Sequence, residues 1–155
     1  MNARKALTLG YAKSSWYYFQ KFGRMNLNQV TVPALDVARS VAFYEQLGLR
    51  LIVAALPRYA RLECTAGDAT FSIHQVEALP EGEGVTVYFE HEQLDAWVAA
   101  LQAKGVAFEE LPTDKVWLWR EARLKDPAGN QLILYNAGPN RKNPPWRIGS
   151  GIQAK

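Results

Sequence analysis

Apolar and polar residues alternate along two stretches of the chain in an order that repeats. In each stretch, one alternating segment typical of a β-strand precedes apolar residues at helical spacing, and further alternating segments follow. In the first stretch Asp36 is suited to cap a helix and Gly48 to end it. Between them Val37, Val41 and Tyr44 recur on one helical face. The pattern therefore predicts a strand, a helix and then three strands.

The same reading gives eight strands and two helices. The first half is predicted to hold strands at residues 28–32, 49–54, 59–64 and 69–75, with a helix at 37–47. The second half is predicted to hold strands at residues 85–89, 107–110, 118–125 and 131–135, with a helix at 94–104. This order predicts an α+β fold of two tandem βαβββ modules.

The two halves correspond residue by residue. Gly48 and Gly105 each end a helix and lie 57 positions apart. Arg61 and Arg123 are equivalent in the third strand of each half, where the offset is slightly larger. Because neither module can bury both faces of its sheet alone, we expect the two modules to pack together.

The domain predicted from this duplication covers residues 25–137. It consists of module one (25–77), a linker (78–84) and module two (85–137), with a basic, aromatic-rich appendage at 1–24 and a Pro-rich basic tail at 138–155. Three interpretations of residues 1–24 stay open: a transit-like leader, translated upstream sequence, or a helix with Trp16, Phe19 and Phe22 on one face. We expect the tail to lie extended across the domain, with Trp146 as its anchor.

Charge and composition exclude several classes of protein. The net charge of the 155 residues is +3, but the bases concentrate at the two ends, and residues 25–139 alone carry −6. A nucleic-acid-binding domain usually carries its own basic patch, so we predict no nucleic-acid partner. No apolar run is long enough to span a bilayer, and we predict no membrane association. The single cysteine, Cys64, excludes an internal disulfide and indicates a cytoplasmic protein.

Two motifs carry a resemblance to a known family. The first is VTVPALD at residues 30–36, followed by Ser40, Phe43-Tyr44 and Leu47-Gly48, and the second is DPAGN at residues 126–130 before a strand. With these motifs the sequence resembles the vicinal oxygen chelate superfamily, which includes glyoxalase I, bleomycin-resistance proteins, fosfomycin-resistance proteins and extradiol dioxygenases. The resemblance covers about residues 25–137. It implies a curved mixed sheet around a cup, and a homodimer.

The resemblance also implies where a metal would bind. Catalytic members hold a divalent metal with one His, Glu or Gln from the first and last strand of each module. The matching positions here are occupied by Gln29, Ser72, Thr86 and Ile133. Only Gln29 is a ligand of the usual type, so we predict no metal and no other cofactor. If the register slipped by one residue, Gln29, Glu63 and His74 would be the alternative metal candidates.

Strand parity indicates which residues line the cup. One parity faces the helices: Val30, Val32, Phe71, Ile73, Val85, Val87, Phe89, Leu132 and Leu134. The opposite parity faces the cup and includes Thr31. With the equivalent arginines and a nearby tryptophan, it gives the predicted ligand-binding residues: Gln29, Arg61, Ser72, His74, Thr86, Tyr88, Trp117, Arg123, Ile133 and Tyr135. Aromatic rings beside guanidinium groups suit a planar or amphipathic organic ligand with an anionic group. We expect Arg61, Arg123, His74 and Tyr88 to supply its polar contacts.

Other interpretations stay open. Arg61 and Arg123 could instead pair with Glu63 and Glu121, and His74 could be a hydrogen-bonded core residue. The function favoured here is metal-free binding of a small organic molecule. The alternatives are a metal-dependent glyoxalase-like lyase, isomerase or dioxygenase with an altered site, and a protein-interaction module whose basic ends dock a partner.

Overall fold

The computed structural model describes residues 26–148. The predictions for residues 1–24 lie outside these residues. The tail is described as far as residue 148, and it begins with a 3-10 turn where an extended chain was predicted. The elements in chain order are β1 (Gln29–Ala34), α1 (Val37–Gln46), β2 (Arg50–Ala55), β3 (Tyr59–Glu63), β4 (Thr70–Gln75), β5 (Thr86–Glu90), α2 (Leu94–Ala103), β6 (Glu110–Asp114), β7 (Arg120–Lys125), β8 (Gln131–Asn136) and a 3-10 turn (Gly138–Arg141). None of the helices in this part of the chain is long and apolar enough to cross a membrane.

The strands form two four-stranded mixed sheets with the same internal order. One sheet runs β1-β4-β3-β2 and the other β5-β8-β7-β6. In each, the first and last strands of the module pair in parallel and the remaining pairs are antiparallel. Arg61 lies opposite Ser72 in the first sheet, as Arg123 lies opposite Ile133 in the second. The predicted βαβββ duplication is therefore confirmed.

Local signals delimit the first helix as predicted. The Asp36 carboxylate accepts a hydrogen bond from the Arg39 backbone N–H at 2.9 Å, which caps α1. After the helix Gly48 has φ +102°, a left-handed conformation that a side chain would disfavour. The sequence therefore marks both ends of this helix.

The strand predicted at residues 107–110 lies further along the chain, at Glu110–Asp114. The alternation that suggested the earlier position has another cause, since Val106 is buried and Phe108 packs against the core without sheet pairing. Pro112 lacks an N–H, and the pairing of β6 with β7 is irregular around it. Val85, predicted to face the helices, precedes β5 and is exposed.

The two modules share one hydrophobic core. Tyr44 of α1 packs against Phe71 of β4, with ring centroids 4.4 Å apart, and also against Phe89 of β5 at 6.4 Å. Phe71 and Phe89 contact each other at 5.8 Å. Aromatic contacts at these distances stabilise packing beyond simple burial. The prediction that the modules pack together is confirmed by these contacts.

A buried carboxylate strengthens the junction between the modules. The Tyr44 hydroxyl donates to Asp126 Oδ2 at 2.7 Å, and burial together with this carboxylate raises the pKa of Tyr44. Asp126 also accepts from the backbone N–H groups of Ala128 and Asn130, at 2.9 and 2.8 Å, and from the Asn130 side-chain amide. That amide donates in addition to the Pro33 carbonyl at 3.1 Å. The DPAGN turn therefore closes a hairpin and joins both modules.

Candidate functional site

The predicted ligand-binding residues lie on the sheet surfaces that face away from the shared core, except Trp117, which lies in the turn between β6 and β7. Together with Thr31, which was predicted to face the cup, they form two groups. We call these the first-module face (Gln29, Thr31, Arg61, Ser72 and His74) and the second-module face (Thr86, Tyr88, Trp117, Arg123, Ile133 and Tyr135). On the first-module face Thr31, Ser72 and Arg61 are register partners on three neighbouring strands. On the second-module face Tyr88, Ile133 and Arg123 are register partners in the same way. Within residues 26–148, the side-chain hydrogen bonds, ion pairs and ring contacts of these residues stay inside their own module.

Three aromatic rings form a cluster on the second-module face. Trp119 stacks on Tyr135 with centroids 4.8 Å apart and planes 22° from parallel. Tyr88 meets both rings edge-on, at 6.1 and 5.6 Å. Tyr88 remains 47% exposed, whereas Tyr135 and Ile133 are buried beneath the surface. The cluster therefore presents aromatic surface that solvent or a ligand can reach.

A buried carboxylate lies beside this cluster. Glu121 of β7 is almost fully buried, and its Oε1 accepts a hydrogen bond from Trp117 Nε1 at 2.7 Å. Arg123 Nη2 lies 3.7 Å from Glu121 Oε2, and Arg123 Nε lies 3.3 Å from Glu110 Oε2. Lys115 and then Arg123 hold the pKa of the Glu110 carboxyl below its usual range. The alternative prediction that Arg123 pairs with Glu121 is confirmed, and two carboxylates flank this guanidinium.

Two cavities border the second-module face. One, of about 290 Å³, is lined by Thr86, Arg123 and Ile133 together with Glu83, Glu109 and Gln131. The other, of about 560 Å³, lies between Trp119, the start of α2 and the 3-10 turn. Arg120 lines it and binds both oxygens of Asp95, at 2.8 and 2.6 Å. Both are concave surfaces of about the size that small ligands occupy.

On the first-module face a hydrogen-bonded chain connects three side chains. Arg61 Nε donates to the Tyr59 hydroxyl at 2.9 Å, and the hydroxyls of Tyr59 and Ser72 lie 2.8 Å apart. Ser72 is fully buried, and the other two are half-buried. The hydrogen bond with Ser72, and then Arg61, lower the pKa of Tyr59. These three residues form a compact polar cluster.

Two alternative predictions for the first-module face are wrong, namely that Arg61 pairs with Glu63 and that His74 is a core residue. Glu63 forms its ion pair with Arg50 of β2, whereas Arg61 bonds to Tyr59. His74 is exposed because β4 runs out of the core at its end, so it is not a core histidine.

The comparisons with known proteins agree with this architecture. Residues 26–134 match the sequence profile of the Glyoxalase/Bleomycin resistance protein/Dioxygenase superfamily. The chain belongs to this superfamily. The recognition based on the two motifs is thereby confirmed.

Solved structures of the superfamily share the fold. A glyoxalase/bleomycin resistance protein/dioxygenase from Nocardioides is 22% identical, with a TM-score of 0.63, and the match covers 80% of this chain and 93% of that one. Lactoylglutathione lyase from Agrobacterium tumefaciens is 17% identical, with a TM-score of 0.60 and coverage of 73% and 94%. TioX from Micromonospora sp. ML1 is 18% identical, with a TM-score of 0.59 and coverage of 73% and 99%. A search of the curated proteins finds no match.

The residues at the superfamily's metal-ligand positions do not fit a divalent metal. Ile133 is buried and has no donor atom, and the neutral Ser72 hydroxyl is engaged by Tyr59. Gln29 Oε1 accepts from the Thr70 hydroxyl at 3.2 Å, and Thr86 is exposed. Divalent metals in proteins require several nitrogen, carboxylate or thiolate donors in defined geometry. This set offers one amide, two hydroxyls and a hydrocarbon.

The alternative candidates Gln29, Glu63 and His74 are spread along the first sheet. Gln29 and Glu63 are both register partners of Thr70, one on each side of β4. His74 is four residues further along that strand, about 13 Å away at strand spacing. Glu63 is also held by Arg50. Residues 26–148 contain no group of three or more His, Cys, Asp and Glu that could hold a metal ion.

Sequence reasoning missed three residues of these faces as candidate site residues: Tyr59, Glu121 and Trp119, in whose place it named Trp117. Tyr59 has the parity of Arg61 and lies opposite His74, so parity alone could have included it. Glu121 lies opposite Tyr135 by the same rule. Its carboxylate accepts a hydrogen bond from Trp117, which reaches it from the turn between β6 and β7. That contact has no sequence signal.

We expect Tyr59 to ionise at a lower pH than an ordinary tyrosine, whose pKa is about 10. Ser72 and Arg61 stabilise the phenolate, so Ser72→Ala and Arg61→Ala should each raise the Tyr59 pKa. Absorbance at 295 nm against pH, with the Tyr59→Phe titration subtracted, isolates this residue. Ser40→Ala, a buried serine of α1, is the control and should leave the curve unchanged. A Tyr59 pKa equal to or above that of an ordinary tyrosine would contradict the hydrogen bonding described for this cluster.

Proposed function

We propose that the chain is a small-molecule-binding member of the superfamily, which binds a planar organic ligand without a metal. The observation that carries this proposal is the aromatic cluster of Tyr88, Trp119 and Tyr135, in which Tyr88 is exposed and Trp119 is half-buried. Aromatic rings provide large apolar surface with a defined plane, and stacking on them is favourable for flat ligands. The ligand's ring system is therefore assigned to the second-module face.

Polar groups around both faces support an anionic group on the ligand. Arg61 and Arg123 occupy equivalent positions of the two modules, but Glu110 and Glu121 flank Arg123, whereas Arg61 has no carboxylate partner among the described residues. His74 and Thr31 add exposed polar groups on the first-module face. Guanidinium groups bind carboxylates through paired hydrogen bonds. An aromatic acid is thus the class of ligand proposed. The homodimer stays an expectation from the resemblance, and the cytoplasmic location stays a prediction from the sequence.

The donor chemistry supports a function that needs no metal. The four positions that hold a metal in catalytic relatives carry Gln29, Ser72, Thr86 and Ile133 in this chain. Ser72 belongs to the Tyr59 cluster, and Ile133 belongs to the buried layer under the aromatic rings. Both positions thus have other roles, in a polar cluster and in an apolar layer.

A matched set of probes tests the proposal. We expect 2-naphthoate and 2-naphthamide to raise the melting temperature and quench tryptophan fluorescence in a saturable way, because both present a flat aromatic system. Cyclohexanecarboxylate, which is anionic without an aromatic ring, should produce a clearly smaller shift. Equal shifts with all three probes, or none with either naphthalene compound, would contradict the aromatic assignment.

A further inference from the structure

From the first-module face we infer that Arg61, Tyr59 and Ser72 form a binding site for the carboxylate group of an organic acid. This inference deepens the proposed function by assigning the acidic group of the ligand. It rests on the proposed function only for the expectation that the ligand is an acid. The site itself is built from different residues and a different sheet than the aromatic cluster.

The geometry fixes the cluster in one arrangement. Arg61 Nε donates its one hydrogen to Tyr59 Oη at 2.9 Å. Tyr59 Oη is also hydrogen-bonded to Ser72 Oγ at 2.8 Å. The buried Ser72 on β4 holds the phenol in place from the adjacent strand. A guanidinium carries five N–H donors, so the four on the two Nη atoms remain for a ligand. Among the described residues no hydrogen bond or ion pair engages these Nη atoms.

The charge balance distinguishes this site from its counterpart in the second module. Glu63, the nearest acid along β3, pairs with Arg50. Arg61 therefore has no carboxylate partner within residues 26–148, and its positive charge is uncompensated on the first-module face. By contrast, Arg123 lies 3.3 Å from Glu110 and 3.7 Å from Glu121. An incoming anion meets net attraction at Arg61 and two competing carboxylates at Arg123.

The donors around Arg61 match a carboxylate in number and kind. The planar guanidinium fork binds both oxygens of a carboxylate, and charge-assisted hydrogen bonds of this type are stronger than neutral ones. When Ser72 donates to Tyr59, the hydrogen of the Tyr59 hydroxyl is available to the ligand as a further donor. His74 lies opposite Tyr59 and Thr31 opposite Ser72, and both are exposed polar side chains. The described residues that face the cluster from β1, β2 and β4 are neutral or basic at these register positions.

Arginine-selective NMR of the ¹⁵N-labelled full chain tests this inference with acetate, which has a carboxylate but no aromatic part. We expect acetate to shift the Nε–H resonance of Arg61 in a saturable way and to leave that of Arg123 nearly unmoved in the same spectrum. Tyr59→Phe should weaken acetate binding about tenfold, since one hydrogen bond to a charged group is lost. Arg61→Lys, followed through the Ser72 amide, should weaken it at least about tenfold because a lysine cannot bind bidentately. Chloride at equal ionic strength is the control.

The outcomes separate this inference from the proposed function. Acetate shifts at Arg61 that persist in Trp119→Ala would support the inference even if no naphthalene probe binds. Acetate that moves both arginines alike, or neither, would overturn it and leave the aromatic proposal to its own test. Inorganic phosphate that shifts Arg61 where acetate does not would overturn the assignment to carboxylates.

Discussion

Replacing Asp126 by alanine should lower the free energy of unfolding by about 3–5 kcal/mol. The carboxylate is buried and accepts four hydrogen bonds, from the backbone N–H groups of Ala128 and Asn130, the Asn130 amide and the Tyr44 hydroxyl. Alanine leaves these donors without their acceptor in a site that water scarcely reaches. The loss affects both modules, because Tyr44 belongs to the first and Asp126 to the second.

Urea unfolding of matched variants measures this effect. Asp68→Ala removes an exposed aspartate from the turn before β4 and should change stability by less than about 0.5 kcal/mol. Tyr44→Phe removes one of the four hydrogen bonds and should cost about 1–2 kcal/mol. If Asp126→Ala costs no more than Asp68→Ala, the DPAGN turn does not join the modules as described.

Replacing Trp119 by alanine should weaken the binding of 2-naphthoate at least about tenfold. Trp119 is in contact with both other rings of the cluster, stacked on Tyr135 at 4.8 Å and edge-on to Tyr88 at 6.1 Å. Its removal takes away a ring against which the ligand can stack and leaves the remaining two without its support. Tryptophan and tyrosine dominate binding energies at such surfaces because they bury large areas with few rotatable bonds.

Isothermal titration calorimetry compares this variant with Trp146→Ala. Trp146 is 39% exposed, lies in the tail, and is not among the rings of the cluster. Its replacement should leave the affinity within about twofold of the unsubstituted chain. Near-ultraviolet circular dichroism checks that both variants keep their tertiary structure. Equal affinities in the two variants would move the ligand away from the second-module face.

The fold could be predicted from the sequence because its signals are local. Asp36 and Gly48 mark the ends of a helix by capping and backbone conformation, which depend on a few neighbouring residues. The duplication adds an internal control, since each half repeats the order of the other. The prediction was wrong for β6, where the apolar residues Val106 and Phe108 serve the core instead of a strand.

The site was predicted only in part, because parity selects a face but not a partner. It placed Arg61 and Arg123 on corresponding surfaces, as the registers confirm. The partner of each guanidinium depends on strands that are adjacent in space. Glu63 on β3 forms its ion pair with Arg50, its register partner on β2, and the register of these two strands shifts at a bulge just beyond Arg50. Arg61 donates its hydrogen bond to Tyr59 instead. Side-chain pairs between neighbouring strands can be predicted only when the register of those strands is known.

A titration of the full chain with 2-naphthoate, before and after treatment with EDTA, tests metal-free ligand binding most directly. Metal content is measured in the same samples after exposure to nickel, zinc, manganese and ferrous iron and subsequent dialysis. We expect saturable binding with the same affinity in both titrations, and no metal retained near one equivalent. Binding that disappears with EDTA, returns with one retained metal and is lost in Gln29→Ala would contradict the proposal and favour the metal-dependent alternative.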